Sequence, residues 1–267
     1  MLVGFYQFEI KNGDRPYNLN KVHATLTDNA FDLVVLPELF SSGYLFSSRE
    51  EAMEHSEAIP SGETTKALEK IAREKRAYIV GGILERGEDN KLYNSAVLIG
   101  PGGYAGKYRK IHLSTLETGI FEKGSDLCLF DVGGYKIGIL ICFDLWFPEA
   151  SRTLLLSGAD LICCPSNFGG QWSISFAKIR ALENLLYYVT CNRTGSEAKN
   201  GITADFCGES QILNYDGQAL AHAGSNEEIQ IFDLTIKNKD EKDFVLAKDI
   251  YRDMNLYQSN YKCIQTK

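Results

Sequence analysis

Apolar positions along this chain fall into two alternating kinds of run. LVGFYQFEI (2–10), DLVVLPE (32–38), AYIVGGILER (77–86) and YNSAVLIG (93–100) are short, dense in apolar and β-branched residues, and bounded by polar stretches, which predicts strands. NLNKVHATLTDNA (18–30) and TKALEKIAREKR (65–76) instead space their apolar residues at helical intervals, with Leu68, Ile71 and Ala72 on one face and Ser61 as the expected N-cap. GEDNK, between 77–86 and 93–100, predicts a hairpin turn.

The second half repeats the style. YKIGILICFD (135–144) reads as a strand, and PEASRTLLLSGAD (148–160) as a helix with Pro148 in its first turn. LICCPSN (161–167) is the next strand and ISFAKIRALENLLY (174–187) an amphipathic helix. YYVTCNRT (187–194), ESQILN (209–214) and EIQIFDL (228–234) complete the strands. Strands joined both through helices and through hairpins predict an α/β fold with helix layers on mixed sheets. No low-complexity linker divides the chain, so one domain over 1–267 is expected. The charged, weakly periodic segment 235–267 reads as a C-terminal extension, equally an arm that packs on a neighbouring subunit or a frayed terminus.

Composition narrows the class. The 267 residues are 44% hydrophobic and 24% charged, ordinary for a globular chain of enzyme size. A net charge of -7 without a basic stripe argues against nucleic acid, KYRK (107–110) being too short to form one. MLVGFYQFEI lacks the layout of a secretory leader and no apolar run reaches membrane-span length, so no membrane association and a cytoplasmic location are expected. The seven cysteines are odd in number, scattered and mostly in apolar segments, as reduced thiols are; Cys163-Cys164 reads as strand packing. No metal and no cofactor are expected.

Three strand-end residues stand out. Cys142 follows an apolar run, Glu38 ends DLVVLPE, and Lys110 ends GYAGKYRK. In α/β sheets, ligands bind beyond the carboxyl ends of strands. A thiol attacks as thiolate; a neighbouring ammonium favours that form and a neighbouring carboxylate takes the proton. Singly, each residue reads more readily as a core thiol, a turn carboxylate or a surface charge. A Cys-His arrangement using His112 is the rival chemistry, and a catalytically silent assembly module the rival outside enzymology.

The order and local sequence of VVLPELF, KYRKIHL and LICFDLWFPEASR resemble those of the nitrilase superfamily of carbon-nitrogen hydrolases, in its amidase-like branch. The resemblance extends through GADLICCPSNF, RALENLLYYVTCNRTG and FCGESQILNYDGQALAHAG, over roughly residues 2–234. It implies Glu38 as general base, Lys110 as oxyanion-stabilising cation and Cys142 as nucleophile. It further implies a second glutamate after the lysine, Glu117 or Glu122 in KIHLSTLETGIFEKG, of which alignment from Gly124 favours Glu117. The fold implied is an αββα sandwich pairing as αββα-αββα in a homodimer or larger homo-oligomer.

The implied substrate is a small amide, with nitriles and N-carbamoyl amines as alternatives. Where family members that read a carboxylate carry arginine after the nucleophile, this chain has Leu145 and Trp146, which points to a neutral substrate unless Arg180 or Arg193 supplies charge. Tyr44, Trp146, Asn167, Phe168 and Trp172 follow strand ends and are the expected pocket wall, with the Phe143 backbone N–H beside the oxyanion.

Overall fold

A computed structural model describes residues 1–242, 247–254 and 265–266. In chain order its strands are β1 (Leu2–Gln7), β2 (Leu33–Val35), β3 (Tyr78–Arg86), β4 (Leu92–Gly100), β5 (Gly103–Arg109), β6 (Cys128–Val132), β7 (Tyr135–Ile139) and β8 (Leu161–Pro165). They continue with β9 (Tyr187–Cys191), β10 (Ser196–Lys199), β11 (Ile202–Asp205), β12 (Gln211–Leu213), β13 (Ala219–His222), β14 (Glu228–Asp233) and β15 (Gln265–Thr266). The helices are α1 (Arg15–Asp28), α2 (Arg49–His55), α3 (Glu63–Lys75), α4 (Pro148–Leu156), α5 (Gln171–Asn184) and α6 (Ala247–Met254).

Two mixed sheets result, in the orders β14-β1-β2-β3-β4-β5 and β13-β12-β9-β8-β7-β6-β15. In each, a parallel centre is flanked by antiparallel strands: β1, β2 and β3 run parallel in the first, β7, β8 and β9 in the second. The hairpin read from 77–100 is β3 and β4, in antiparallel register with Ile79 opposite Ile99.

Side-chain alternation explains why these strands read as continuous apolar runs. On β1, Val3 and Phe5 point to the interior between the sheets, where they join Phe130, Ile137 and Ile139 of the second sheet. Tyr6, with Phe8 just beyond, points to the other face, where Leu19, Val22 and Leu26 of α1 and Leu68 and Ile71 of α3 cover it. Helices α4 and α5 cover the second sheet through Leu154, Leu155, Ala177 and Ala181. The layers are therefore helix, sheet, sheet, helix, as the resemblance implied for one subunit.

Several element bounds differ from the sequence expectation. Helix α1 starts at Arg15 rather than 18, because Asp14 caps it by accepting the Tyr17 N–H at 3.1 Å and Pro16 occupies its first turn. Ser61 is not the N-cap of α3; Gly62 is, and the missing acceptor comes from outside the helix, Glu57 Oε2 taking the Thr64 N–H at 2.8 Å. Strand β2 ends at Val35 and β7 at Ile139, short of the predicted 38 and 144. Leu36, Leu140 and Ile141 remain fully buried, so apolarity outlasts the strand in both places.

Gly82 on β3 is required by the chain leaving β2. A Cβ there would lie 2.5 Å from both the Glu38 Cα and the Leu39 N. The Phe40 N–H donates to the Gly82 carbonyl at 3.1 Å, locking the same turn onto β3.

Among the described residues no helix is long and apolar enough to cross a membrane. Of the segment 235–267, Lys242 is buried and donates to the Leu185 carbonyl at 2.6 Å and the Tyr251 hydroxyl at 3.1 Å, with Ile250 and Tyr251 against the core. Residues 243–246, 255–264 and 267, on which the expectation of an intersubunit arm largely falls, lie outside the described residues.

Candidate active site

Glu38 and Lys110 come from the first sheet, just past β2 and β5, and Cys142 from the second, just past β7. The two sheets thus bring these side chains to one end of the sandwich interior. Lys110 Nζ donates to Glu38 Oε1 at 2.7 Å and to the Glu117 oxygens at 2.9 and 2.8 Å. Glu117 lies in the loop after β5 and is 1% exposed; Glu38 and Lys110 are fully buried. Of the two sequence candidates, Glu117 joins the cluster while Glu122 faces solvent.

Both turns into the site hold a side-chain-bearing residue in the left-handed region, Leu39 at φ 50° and Cys142 at φ 45°. Such backbone is costly for non-glycine residues and persists where surroundings enforce it. Around Cys142 the enforcing group is Asp144. In the 3-10 turn Cys142–Trp146 its Oδ2 accepts the Ile141 N–H at 2.9 Å and the Tyr108 hydroxyl at 2.8 Å. Its Oδ1 accepts the His112 N–H at 3.0 Å and meets His112 Nδ1 at 2.8 Å. One buried carboxylate therefore ties the cysteine turn to the segment carrying Lys110. The His112 ring is also stacked on Phe147, with ring centroids 3.7 Å apart.

Asn94 on β4 is the second organising residue. Its Nδ2 donates to Glu38 Oε1 at 2.6 Å and to Glu117 Oε1 at 2.7 Å, bridging two carboxylates that would otherwise repel. Sequence reading passed over both Asn94 and Asp144. The available signal was a polar residue inside a strand buried along its whole length, and an aspartate immediately beyond an apolar run.

The electrostatics separate the two glutamates. Burial and the Glu117 charge push the Glu38 carboxyl up, against the pull of Lys110. Glu117 is also raised by burial, but Lys110 and its hydrogen bonds to Ser114 and Asn94 bring it below the ordinary carboxylate range. Lys110 is held well above its usual value because Glu38 and Glu117 outweigh desolvation, so it stays an ammonium. Burial raises the Cys142 thiol well above its ordinary value, Glu38 adds to this, and Lys110 only partly offsets it. Burial and the Glu38 charge thus favour the neutral thiol over the thiolate that an adjacent lysine alone would suggest.

Pocket-wall candidates divide. The Asn167 backbone hydrogen-bonds the Cys142 thiol, and its 8%-exposed carboxamide has no partner. Phe168 is buried and pinned by Asn192, which accepts its N–H at 2.7 Å. Tyr44 donates to or accepts from Ser114 Oγ at 3.0 Å and lies near the charges of Glu117, Lys110 and Glu38. Phe143 packs edge-on to Phe147. Trp146, by contrast, turns its ring onto Phe176 of α5, and Trp172 on α5 is 75% exposed. Among the described residues, no group of three or more His, Cys, Asp and Glu is arranged to hold a metal ion.

The family profile of carbon-nitrogen hydrolases matches residues 2–240. The chain is 42% identical over 251 residues to a nitrilase of Pyrococcus abyssi, covering 92% of this chain and 93% of that one. It is 30% identical over 220 residues to human omega-amidase, 77% of each chain. The fold is similar to that of a carbon-nitrogen hydrolase from Helicobacter pylori, with TM-score 0.83, 23% identity and coverage of 97% and 94%. It is also similar to that of an amidase from Nesterenkonia sp. carrying acrylamide on its active-site cysteine, with TM-score 0.79, 22% identity and coverage of 95% and 99%.

The raised thiol has a measurable consequence. Alkylation of Cys142 by iodoacetamide, followed by peptide mass spectrometry, is expected to keep accelerating above pH 9. Because the Glu38 charge adds to burial in disfavouring thiolate, Glu38→Gln is expected to shift that profile to lower pH and to speed alkylation at pH 8.

Proposed function

The chain belongs to the carbon-nitrogen hydrolase family, the nitrilase superfamily, and from that premise we propose that it hydrolyses the C–N bond of a small neutral amide to the acid and ammonia through a Cys142 thioester. The observation that carries this reading is the buried Glu38–Lys110–Glu117 cluster beside the buried Cys142 thiol.

Glu38 is the proton carrier. Its Oε1 is occupied by Lys110 and Asn94, while Oε2 is buried without a hydrogen-bond partner. That oxygen takes the thiol proton as sulfur bonds to the carbonyl carbon. The carbonyl becomes an oxyanion stabilised by the Lys110 ammonium and the Phe143 backbone N–H. Protonated Glu38 then delivers its proton to nitrogen, the C–N bond breaks, and ammonia leaves a thioester. Water attacks that thioester, giving a proton to Glu38, which returns it to the departing sulfur. Amide and water are converted to acid and ammonia, with the protein unchanged. Glu117, held below the ordinary range, remains a carboxylate and keeps Lys110 charged and aimed. A division of two carboxylates by environment is how one site runs both acid and base steps.

The neutral substrate follows from how the nearby guanidinium groups are used. Arg180 donates to the Leu145 carbonyl at 2.9 Å and pairs with Glu183 at 2.8 Å. Arg193 pairs with Glu197 and donates to the Ile10 carbonyl at 2.9 Å. Both guanidinium groups are thus engaged by carboxylates and carbonyls of the protein itself, and the cluster sets two carboxylates against one ammonium. The name of the Pyrococcus abyssi relative favours a nitrile as second reading. The same cysteine then forms a thioimidate, and a second water completes the route to acid and ammonia.

We further propose a cytoplasmic homodimer that pairs through α5. Trp172, Ile179 and Leu182 form an outward apolar stripe on that helix, with exposures of 75%, 46% and 42%, continued by Trp146.

An ammonia-release assay over amides and nitriles tests the chemistry. Cys142→Ala and Glu38→Gln are each expected to lower the rate at least about a thousandfold while remaining folded. His112→Ala is expected to do less damage than either. Butyramide is expected to exceed succinamate in kcat/KM by at least about tenfold, since a like charge in the pocket costs several kcal/mol. Ammonia formed equally by Cys142→Ala, or preference for the anionic amide, would contradict the reading. For assembly, sedimentation velocity is expected to give twice the chain mass for the native protein and the single-chain mass for Ile179→Glu/Leu182→Glu; equal masses for both would exclude pairing through α5.

A further inference from the structure

Behind the loop that follows Glu38 lies a buried ion pair with no part in the steps above. Arg193 is fully buried, Glu197 on β10 is 4% exposed, and their side chains pair directly. The Arg193 guanidinium lies 4.2 Å from the centre of the Phe206 ring and donates to the Ile10 carbonyl. Glu197 Oε2 accepts the Tyr44 N–H at 2.9 Å, the Leu45 N–H at 2.8 Å and Asn12 Nδ2 at 3.1 Å. One carboxylate thus gathers donors from two segments remote in sequence and from Arg193, four residues before it.

The connection continues toward the site through side chains. Tyr44 stands edge-on to Phe206, with centroids 6.2 Å apart and planes at 86°. Its hydroxyl hydrogen-bonds Ser114 Oγ at 3.0 Å, and the Ser114 N–H donates to Glu117 Oε2 at 2.9 Å. That same oxygen accepts from Lys110 at 2.8 Å.

We propose that Glu197 is a positioning residue: by fixing the backbone of Tyr44 it sets the Ser114 segment, and through it the Glu117 carboxylate, against Lys110. This rests on the catalytic reading of Lys110 given above. A buried ion pair adds little net stability over a well-packed apolar pair, so its value here lies in geometry. The carboxylate is suited to that task because two oxygens satisfy backbone donors and a guanidinium together, which no neutral side chain does. Disturbing it misplaces the oxyanion-stabilising ammonium without touching substrate, and a small misplacement of a catalytic group is costly in rate.

The test keeps charge constant and varies only the acceptor. Because removing Glu197 alone strands a buried guanidinium, the variants are Arg193→Met/Glu197→Gln, which retains an oxygen for the Tyr44 N–H, and Arg193→Met/Glu197→Ala, which does not. Thermal melts and circular dichroism establish folding, and Tyr44→Phe provides a variant with the ion pair intact. The Ala variant and Tyr44→Phe are each expected to lower kcat by about tenfold or more with KM changed less than about twofold, while the Gln variant stays within about threefold of the native protein. Adding Tyr44→Phe to the Ala variant is expected to lower kcat no further, the sign of one shared path. Equal kcat in the Gln and Ala variants, or full additivity with Tyr44→Phe, would overturn the proposal.

A second readout is independent of turnover. The pH midpoint of Cys142 alkylation is expected to move by about half a unit or more in the Ala variant and in Tyr44→Phe, and to stay in place in the Gln variant. If the native protein releases no ammonia from any amide or nitrile, the functional reading fails, and this midpoint decides the positioning role alone. An unmoved midpoint in the Ala variant then overturns it.

Discussion

A lysine ammonium excluded from water and shared between two carboxylates is the interaction on which this site depends. Left unpaired, so buried a charge would be expelled or neutralised. Lys110 persists because Glu38 and Glu117 both accept from it, and they persist together because Lys110 and Asn94 stand between them. The arrangement is a mutual one. Each group's protonation follows from its neighbours, and the asymmetry that leaves Glu38 raised and Glu117 lowered is the basis of the division of tasks proposed for them.

The fold serves that cluster by ending strands early. Glu38, Lys110 and Cys142 follow strands of two different sheets, so only the packing of sheet on sheet unites them. At Leu39 and Cys142 the backbone turns through left-handed conformations, held by β3 against the first turn and by Asp144 within the second. Asp144 also reaches Tyr108 and His112, so the Cys142 turn and the segment carrying Lys110 share one anchor. The sulfur is thereby fixed in place, and burial with the Glu38 charge favours its thiol form.

The layers and the four clustered side chains were legible because each is a local pattern. Alternating apolar runs marked the strands, and Glu38, Lys110, Glu117 and Cys142 each sit in a short string that resembles a family motif. What escaped acts across sequence. Asn94 meets Glu38 from 56 positions away, and Glu197 meets the Tyr44 backbone from 153. The cap expected at Ser61 is supplied by Glu57, an acceptor no spacing rule would select. The apolar runs at 32–38 and 135–144 extend past the strands they contain because Leu36 and Ile141 stay in the core after leaving the ladder. The hairpin β10–β11 was missed because Ser196–Lys199 and Ile202–Asp205 are largely exposed and carry no apolar run.

The central claim is that Cys142 carries the acyl group between two proton transfers by Glu38. Rapid-quench intact-mass spectrometry on the native protein mixed with butyramide addresses it directly, with peptide mapping of the quenched sample. The account predicts a transient butyryl adduct confined to the peptide containing Cys142, decaying as ammonia and butyrate reach completion. Ammonia release with the acyl group found on another residue would contradict it.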